Sequence, residues 1–168
     1  MKKIFLMALL ASMFVGCDSA PKVDNSTVKS VDLNRYLGNW FEIAKFDHTF
    51  ERGVEYAMAK YTLRPDGKID VLNTGIKDGR AKDAKGVAKT TGVSGLLRVS
   101  FFGPFFGDYR IMMLDQDYQY ALVGGSNHRF LWILSRTPQL DEATQSLILA
   151  EAERRGYNTG NLIWVKQK

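Results

Sequence analysis

The sequence predicts an all-β fold, eight antiparallel strands closed into an up-and-down barrel with one C-terminal α-helix packed outside. Three observations support it. Segments of alternating apolar and polar residues recur at short, regular spacing, bounded by Gly, Pro, Asp or Asn. The connections are too short for parallel crossovers, which need about a dozen residues or more, so neighbouring strands run antiparallel. A stretch with helical periodicity follows the last of these segments.

The chain begins with a short basic segment, Met1-Lys2-Lys3, followed by an uncharged apolar run, Ile4 to Val15. That run is too short for a mature spanning helix, which needs about 20 residues, and it suits a secretory signal. It ends at Phe14-Val15-Gly16-Cys17, where a small residue precedes the only cysteine, as in a bacterial lipobox. Residues 1–16 are therefore expected to be a lipoprotein signal peptide and Cys17 the lipidated residue. Several acyl chains there, palmitate among them, would anchor stably, whereas one chain is marginal. Residues 17–30 are polar and without periodicity, so they read as a flexible tether. Residues 31–168 form the barrel domain. A lone cysteine excludes an internal disulfide framework. The net charge of +5 is not gathered into any basic run, which excludes a nucleic-acid surface.

The expected strands cover residues 40–47, 56–63, 68–73, 81–88, 96–102, 108–114, 120–124 and 130–135. Arg64-Pro65-Asp66-Gly67 is a hairpin signal, with proline setting one φ and glycine free to take a positive one. Gly92-Val93-Ser94-Gly95 is another. After Thr137-Pro138, Asp141 caps a helix over residues 142–155, with Ala143, Leu147, Ala150 and Ile148 as its packing stripe; Arg154-Arg155 suit its C-terminal dipole and Gly156 stops it. A short final strand is expected over 162–165. With Gly38 bending the chain into the first strand, Trp40 lies at the floor of the barrel. Arg136, at the end of the last strand, can stack on its indole, a pairing of about 0.5–2 kcal/mol. The loops at 48–55, 74–80, 102–107 and 125–129 then lie at the mouth.

Three signatures occur in order: Gly38-Asn39-Trp40, Asp115-Gln116-Asp117-Tyr118-Gln119-Tyr120-Ala121, and Ser135-Arg136. On these the chain resembles the lipocalins. Phe46-Asp47-His48-Thr49-Phe50-Glu51-Arg52-Gly53 and Ser100-Phe101-Phe102-Gly103-Pro104-Phe105-Phe106-Gly107 are similar to stretches of the bacterial lipocalin lipoproteins, relatives of apolipoprotein D. The second signature departs from the usual Thr-Asp-Tyr by carrying Gln116 and is one residue shorter before its Tyr-Ala. The resemblance implies a lipid-binding protein held by Cys17 to the outer membrane, at its periplasmic face, storing or transporting fatty acids or lysophospholipids for membrane maintenance. Asp18 is associated with inner-membrane retention in enterobacteria, which keeps that location open. A homodimer is the one protein partner entertained.

An inward Trp40 fixes the first strand's parity: Glu42, Ala44 and Phe46 in, Ile43 and Lys45 out. The expected ligand contacts are Phe46, Tyr61, Phe101, Phe105, Tyr109, Met113 and Trp132, with Arg52 or Arg129 at the rim for a charged headgroup. Gly38, Trp40 and Arg136 are expected to be structural. Exposed phenylalanines around Gly103-Pro104 would mark a ligand, partner or membrane surface; folded back, they would be the top core layer. Glu42 is the odd group, an acid in an apolar barrel, expected to bond to a tyrosine or arginine near the floor. His48 and His128 read as solvated loop residues, and no nucleophile–base pair, metal-ligand spacing or cofactor motif occurs. A binding protein is therefore expected rather than an enzyme. The alternatives are a structural envelope lipoprotein with a filled barrel, or a lipid-modifying enzyme using Glu42 or a mouth histidine.

Overall fold

The computed structural model describes residues 22–168, so the expected signal peptide, Cys17 and Asp18 lie outside the described residues. A one-turn helix α1 (Leu33–Tyr36) leads into β1 (Gly38–Lys45), β2 (Glu55–Leu63), β3 (Ile69–Lys77), β4 (Arg80–Thr90), β5 (Leu96–Phe102), β6 (Phe105–Leu114), β7 (Tyr120–Gly124) and β8 (Leu131–Ser135). Helix α2 (Glu142–Arg154), a 3₁₀ turn at Thr159–Asn161 and β9 (Ile163–Trp164) complete the chain. Every strand from β1 to β8 pairs antiparallel with its sequence neighbours, and β8 returns to β1. The barrel is closed, which leaves no long edge for another chain to pair with.

The tight turns extend strands further than composition suggests. Asp78 and Gly79 join β3 to β4 with φ of 52° and 71°. A two-residue turn with both φ positive follows the strands' own twist, so pairing runs to Lys77↔Arg80 and most of the expected 74–80 loop is strand. Likewise β6 starts at Phe105, directly after Gly103-Pro104, rather than at residue 108.

Two β-bulges correct the expected inward faces. In β1 the register runs Glu42↔Leu134, then Ala44↔Ile133 and Lys45↔Trp132, so one extra residue sits between Glu42 and Ala44. Beyond it the faces exchange. Lys45 points into the barrel, and Ala44 and Phe46 turn outward beneath α2, where Phe46 packs against Tyr157. In β6 the register skips between Ile111 and Met113, so Ile111 faces inward and Met113 packs with the outer layer.

Two apolar clusters result. One fills the barrel, built from Trp40, Tyr61, Ile69, Val71, Leu97, Ile111, Val123 and Leu134, with Tyr36 of α1 inserted from below. The other joins Met112, Leu122, Leu131 and Ile133 on the outer wall to Ile148 and Ala152 of α2. The packed stripe of α2 is thus Ile148 and Ala152; Leu147, expected there, is exposed, as are Ala143 and Ala150. Asp141 caps this helix by accepting from the Thr144 amide, and Gly156 ends it with φ of 90°.

Both terminal segments are built into the wall. Residues 22–30, expected to be part of a free tether, form a strap: the Val28 amide donates to the Ile111 carbonyl at 2.9 Å and Asp24 to that of Arg155 at 2.8 Å. Arg155, buried at the end of α2, clamps the strap to β6, donating to the carbonyls of Ser26 at 2.9 Å and Met112 at 2.7 Å. At the other end, β2 leaves β1 beyond Phe41↔Met58 and the C-terminal segment fills the seam. Val165 donates to Ile43, Tyr56 donates to Lys166, and the Gln167 amide donates to the carbonyls of Glu42 and Ala57. Those backbone groups would otherwise be orphaned at the split.

Candidate functional site

The floor is sealed by hydrogen bonds as well as by packing. Arg136 lies over Trp40 with its guanidinium carbon 3.8 Å from the ring centroid. Its nitrogens donate to the carbonyls of Asn39 (2.7 Å), Arg35 (2.7 Å), Tyr36 (3.2 Å) and Tyr118 (3.2 Å). The Trp40 indole N–H donates to the Tyr36 carbonyl at 2.8 Å. Gly38, with φ of 92°, makes the bend that brings β1 to this guanidinium; a side chain there would strain the backbone while meeting Arg136 only at ordinary contact distance.

Above the floor the lumen is aromatic. Tyr36 sits there because Asp32 caps α1 and turns the chain under the barrel. Its hydroxyl lies 2.7 Å from that of Tyr109, which also accepts from Tyr61 at 3.0 Å. Burial pushes the phenol pKa values of Tyr36, Tyr61 and Tyr109 well up, so all three stay neutral. Higher still, Val99, Phe101 and Trp132 line the wall and remain partly accessible.

Under the mouth lies a buried ionic cluster. Lys45 Nζ is 2.7 Å from Glu42 Oε1, at ion-pair distance though without hydrogen-bond geometry, and 3.6 Å from Glu51 Oε2. The Trp132 indole N–H donates to that same Glu51 oxygen at 3.2 Å. Burial, with the second carboxylate of Glu51, raises the Glu42 pKa to about 7 despite the opposing pull of Lys45. Glu42 thus pairs upward with Lys45 rather than with a floor tyrosine or arginine. His48 is buried, not solvated: its ring packs on Trp132, Phe130 and Phe50 at centroid distances of 4.6, 5.3 and 5.4 Å, and its Nε2 has no partner. Burial lowers its pKa, since charging it there would forfeit hydration.

Of the expected contact residues, the structure brings Tyr61, Phe101, Tyr109 and Trp132 together in the lumen. Phe46 and Met113 lie outside the barrel under α2, on the wrong side of their bulges. Phe105 is 79% exposed and Phe102 78%, at the tip of the β5–β6 hairpin, so neither folds back as a core layer. At the rim, Arg52 pairs with Asp47 at 2.6 Å. Sequence reasoning missed Tyr36, Lys45 and Glu51. The Asp32 cap was a signal for Tyr36; for Lys45 the signal was an acid and a base three apart in a strand, which share a face only across a bulge. Among the described residues no group of His, Cys, Asp and Glu could hold a metal ion, and no helix is long and apolar enough to cross a membrane.

A profile of the lipocalin-like domain matches residues 31–167. The chain is 45% identical to the outer membrane lipoprotein Blc of Citrobacter freundii, over 94% of this chain and 92% of that one. It is 42% identical to the protein of that name from Vibrio cholerae, over the full length of both. Mouse apolipoprotein D is 37% identical over 76% of this chain and 70% of its own. Among solved structures, insecticyanin of the tobacco hornworm superposes with a TM-score of 0.73 at 19% identity, over 89% of this chain and 87% of that one, a likeness of fold.

Proposed function

The chain belongs to the lipocalin family, whose barrel is a ligand-binding fold, and from that membership we propose that it holds fatty acids or lysophospholipids in the bacterial envelope, for storage or transport in membrane maintenance. The observation that carries this reading is the gradient along the lumen. Trp40, Tyr36 and Ile69 near the floor are sealed from solvent, while Val99, Phe101 and Trp132 above them stay partly accessible. A wall sealed below and partly accessible above, with the ionic cluster at its top, suits an elongated chain with its polar end at the mouth. Anchoring through a lipidated Cys17, to the outer membrane at its periplasmic face, is supported by the lipobox-like sequence and by the relatives named outer membrane lipoproteins. The reading involves no catalysis.

A filled barrel is the competing reading, favoured by the three tyrosines that occupy the lower lumen. Mass spectrometry of lipid co-purified with the Cys17→Ser protein separates the two. The proposal expects a stoichiometric fatty acid or lysophospholipid; none recovered, and none taken up on addition, favours the filled barrel. In cell fractionation the same variant should leave the membrane fraction, and retention at the wild-type level would refute the anchor.

A further inference from the structure

Glu51 is the one member of the ionic cluster that does not belong to a strand. Glu42 and Lys45 are fixed in β1 and Trp132 in β8, whereas Glu51 reaches in from the loop between β1 and β2. Its Oε2 accepts from the Trp132 indole N–H at 3.2 Å and stands 3.6 Å from the Lys45 ammonium, which donates to the Glu51 main-chain carbonyl at 3.3 Å. The Lys45 side chain is 4% exposed, that of Glu51 16%. Glu51 is thus the more accessible of the pair.

We propose that Lys45 Nζ and Trp132 Nε1 form a two-donor subsite for one anionic oxygen, the carboxylate of a fatty acid or the phosphate of a lysophospholipid, and that the Glu51 side chain occupies it as an internal stand-in for that headgroup. Charge-assisted hydrogen bonds of this kind are the strong ones. The ligand enters by exchange: one anionic oxygen replaces another, so the buried charge does not change. Lys45 is never left unpaired, because Glu42 stays beside it at 2.7 Å. Unpaired, a buried ammonium would be strongly destabilising. Admission of an anion with Glu51 still in place would instead crowd a second anionic oxygen against that of Glu51. Glu51 can leave because its side chain hangs from a loop turn, with its amide donating to the His48 carbonyl at 3.0 Å. The acyl chain then runs from the subsite into the lumen past Trp132 and Phe101.

This inference rests on the reading that the lumen houses a lipid, and the test keeps the two apart. Oleate, its uncharged methyl ester and 1-oleoyl-lysophosphatidylethanolamine are titrated into the Cys17→Ser protein and into the same protein carrying Glu51→Gln. Without the competing carboxylate, oleate or the lysophospholipid should bind about tenfold more tightly, while the methyl ester changes by less than about twofold. Whichever of oleate and the lysophospholipid responds identifies the headgroup. Lys45→Met combined with Glu42→Gln, which removes the buried pair together, should abolish the preference for acid over ester. If Glu51→Gln leaves the anionic ligands unchanged, or tightens acid and ester alike as a merely loosened loop would, the subsite is overturned while lipid binding stands. If no ligand binds the parent protein, both readings fall.

Discussion

At the floor of the barrel, Arg136 donates to four backbone carbonyls and lies over Trp40. At the mouth, the buried lysine is shared between two carboxylates, one Glu42 oxygen lacks hydrogen-bond geometry, and His48 Nε2 has no partner. The floor cation sits among fixed dipoles of the main chain, which cannot titrate. Its mouth counterpart sits among side chains that can protonate or swing away. Saturated polar contacts stabilise a fold, and leaving one unmade costs about 1–3 kcal/mol. The contrast therefore divides the molecule into an end that fixes the barrel and an end whose polar groups are free to titrate or move.

The largest effect expected from this division is at the floor. Trp40→Ala removes a fully buried indole together with its hydrogen bond and its cation–π partner, and should cost about 3–5 kcal/mol in chemical denaturation. Whatever barrel survives should keep its ligand preference, because Trp40 does not reach the mouth. An unchanged unfolding midpoint would remove the floor's structural role.

At the mouth, Glu42→Gln should act through pH. The Glu42 pKa rises from 4.5 unfolded to about 7 folded. The folded state therefore holds the proton more tightly, and its contribution is complete below about 4.5 and is lost as pH rises through 7. His48 runs the other way, its lowered folded pKa making stability fall as pH drops below its ordinary value. The difference between wild type and Glu42→Gln isolates the first effect: the wild type should lose on the order of 1–3 kcal/mol relative to the variant between pH 5 and 8. Parallel stability curves would show that the mouth cluster is as indifferent to pH as the floor.

Phe46 and Phe105 give a smaller and more local comparison. Phe46→Ala empties a packed site under α2 and should cost about 3–5 kcal/mol without altering ligand affinity. Phe105→Ser, at an exposed hairpin tip, should change stability by no more than about 0.5 kcal/mol. Equal effects of the two would undo the assignment of outer core and mouth.

That pair also marks how far the sequence could be read. The strand order, the floor and the inward Tyr61, Phe101, Tyr109 and Trp132 were legible, because alternation and turn residues are local signals. Phe46 and Met113 were misassigned because a bulge is decided by the partner strand, and one extra residue turns every later side chain to the other face. Lys45 was hidden for the same reason. The strap at residues 22–30 has no periodicity to reveal it; its hydrogen bonds go to Ile111 and Arg155, both far away in sequence. The packing face of α2 was read only in part, Ile148 but not Ala152, because small and apolar residues lie on several of its sides and only the barrel wall selects among them.

The upper lumen, and not the floor, is proposed to receive the acyl chain. The most direct test is the affinity of the Cys17→Ser protein for saturated fatty acids of increasing length, measured alongside Trp132→Ala. Apolar burial scales at about 25 cal/mol per Å², so affinity should rise with each added methylene until the lumen is full. Trp132→Ala should weaken binding throughout while the unfolding midpoint holds. Affinity that ignores chain length, or that Trp132→Ala leaves untouched, would instead mean a barrel filled by its own side chains.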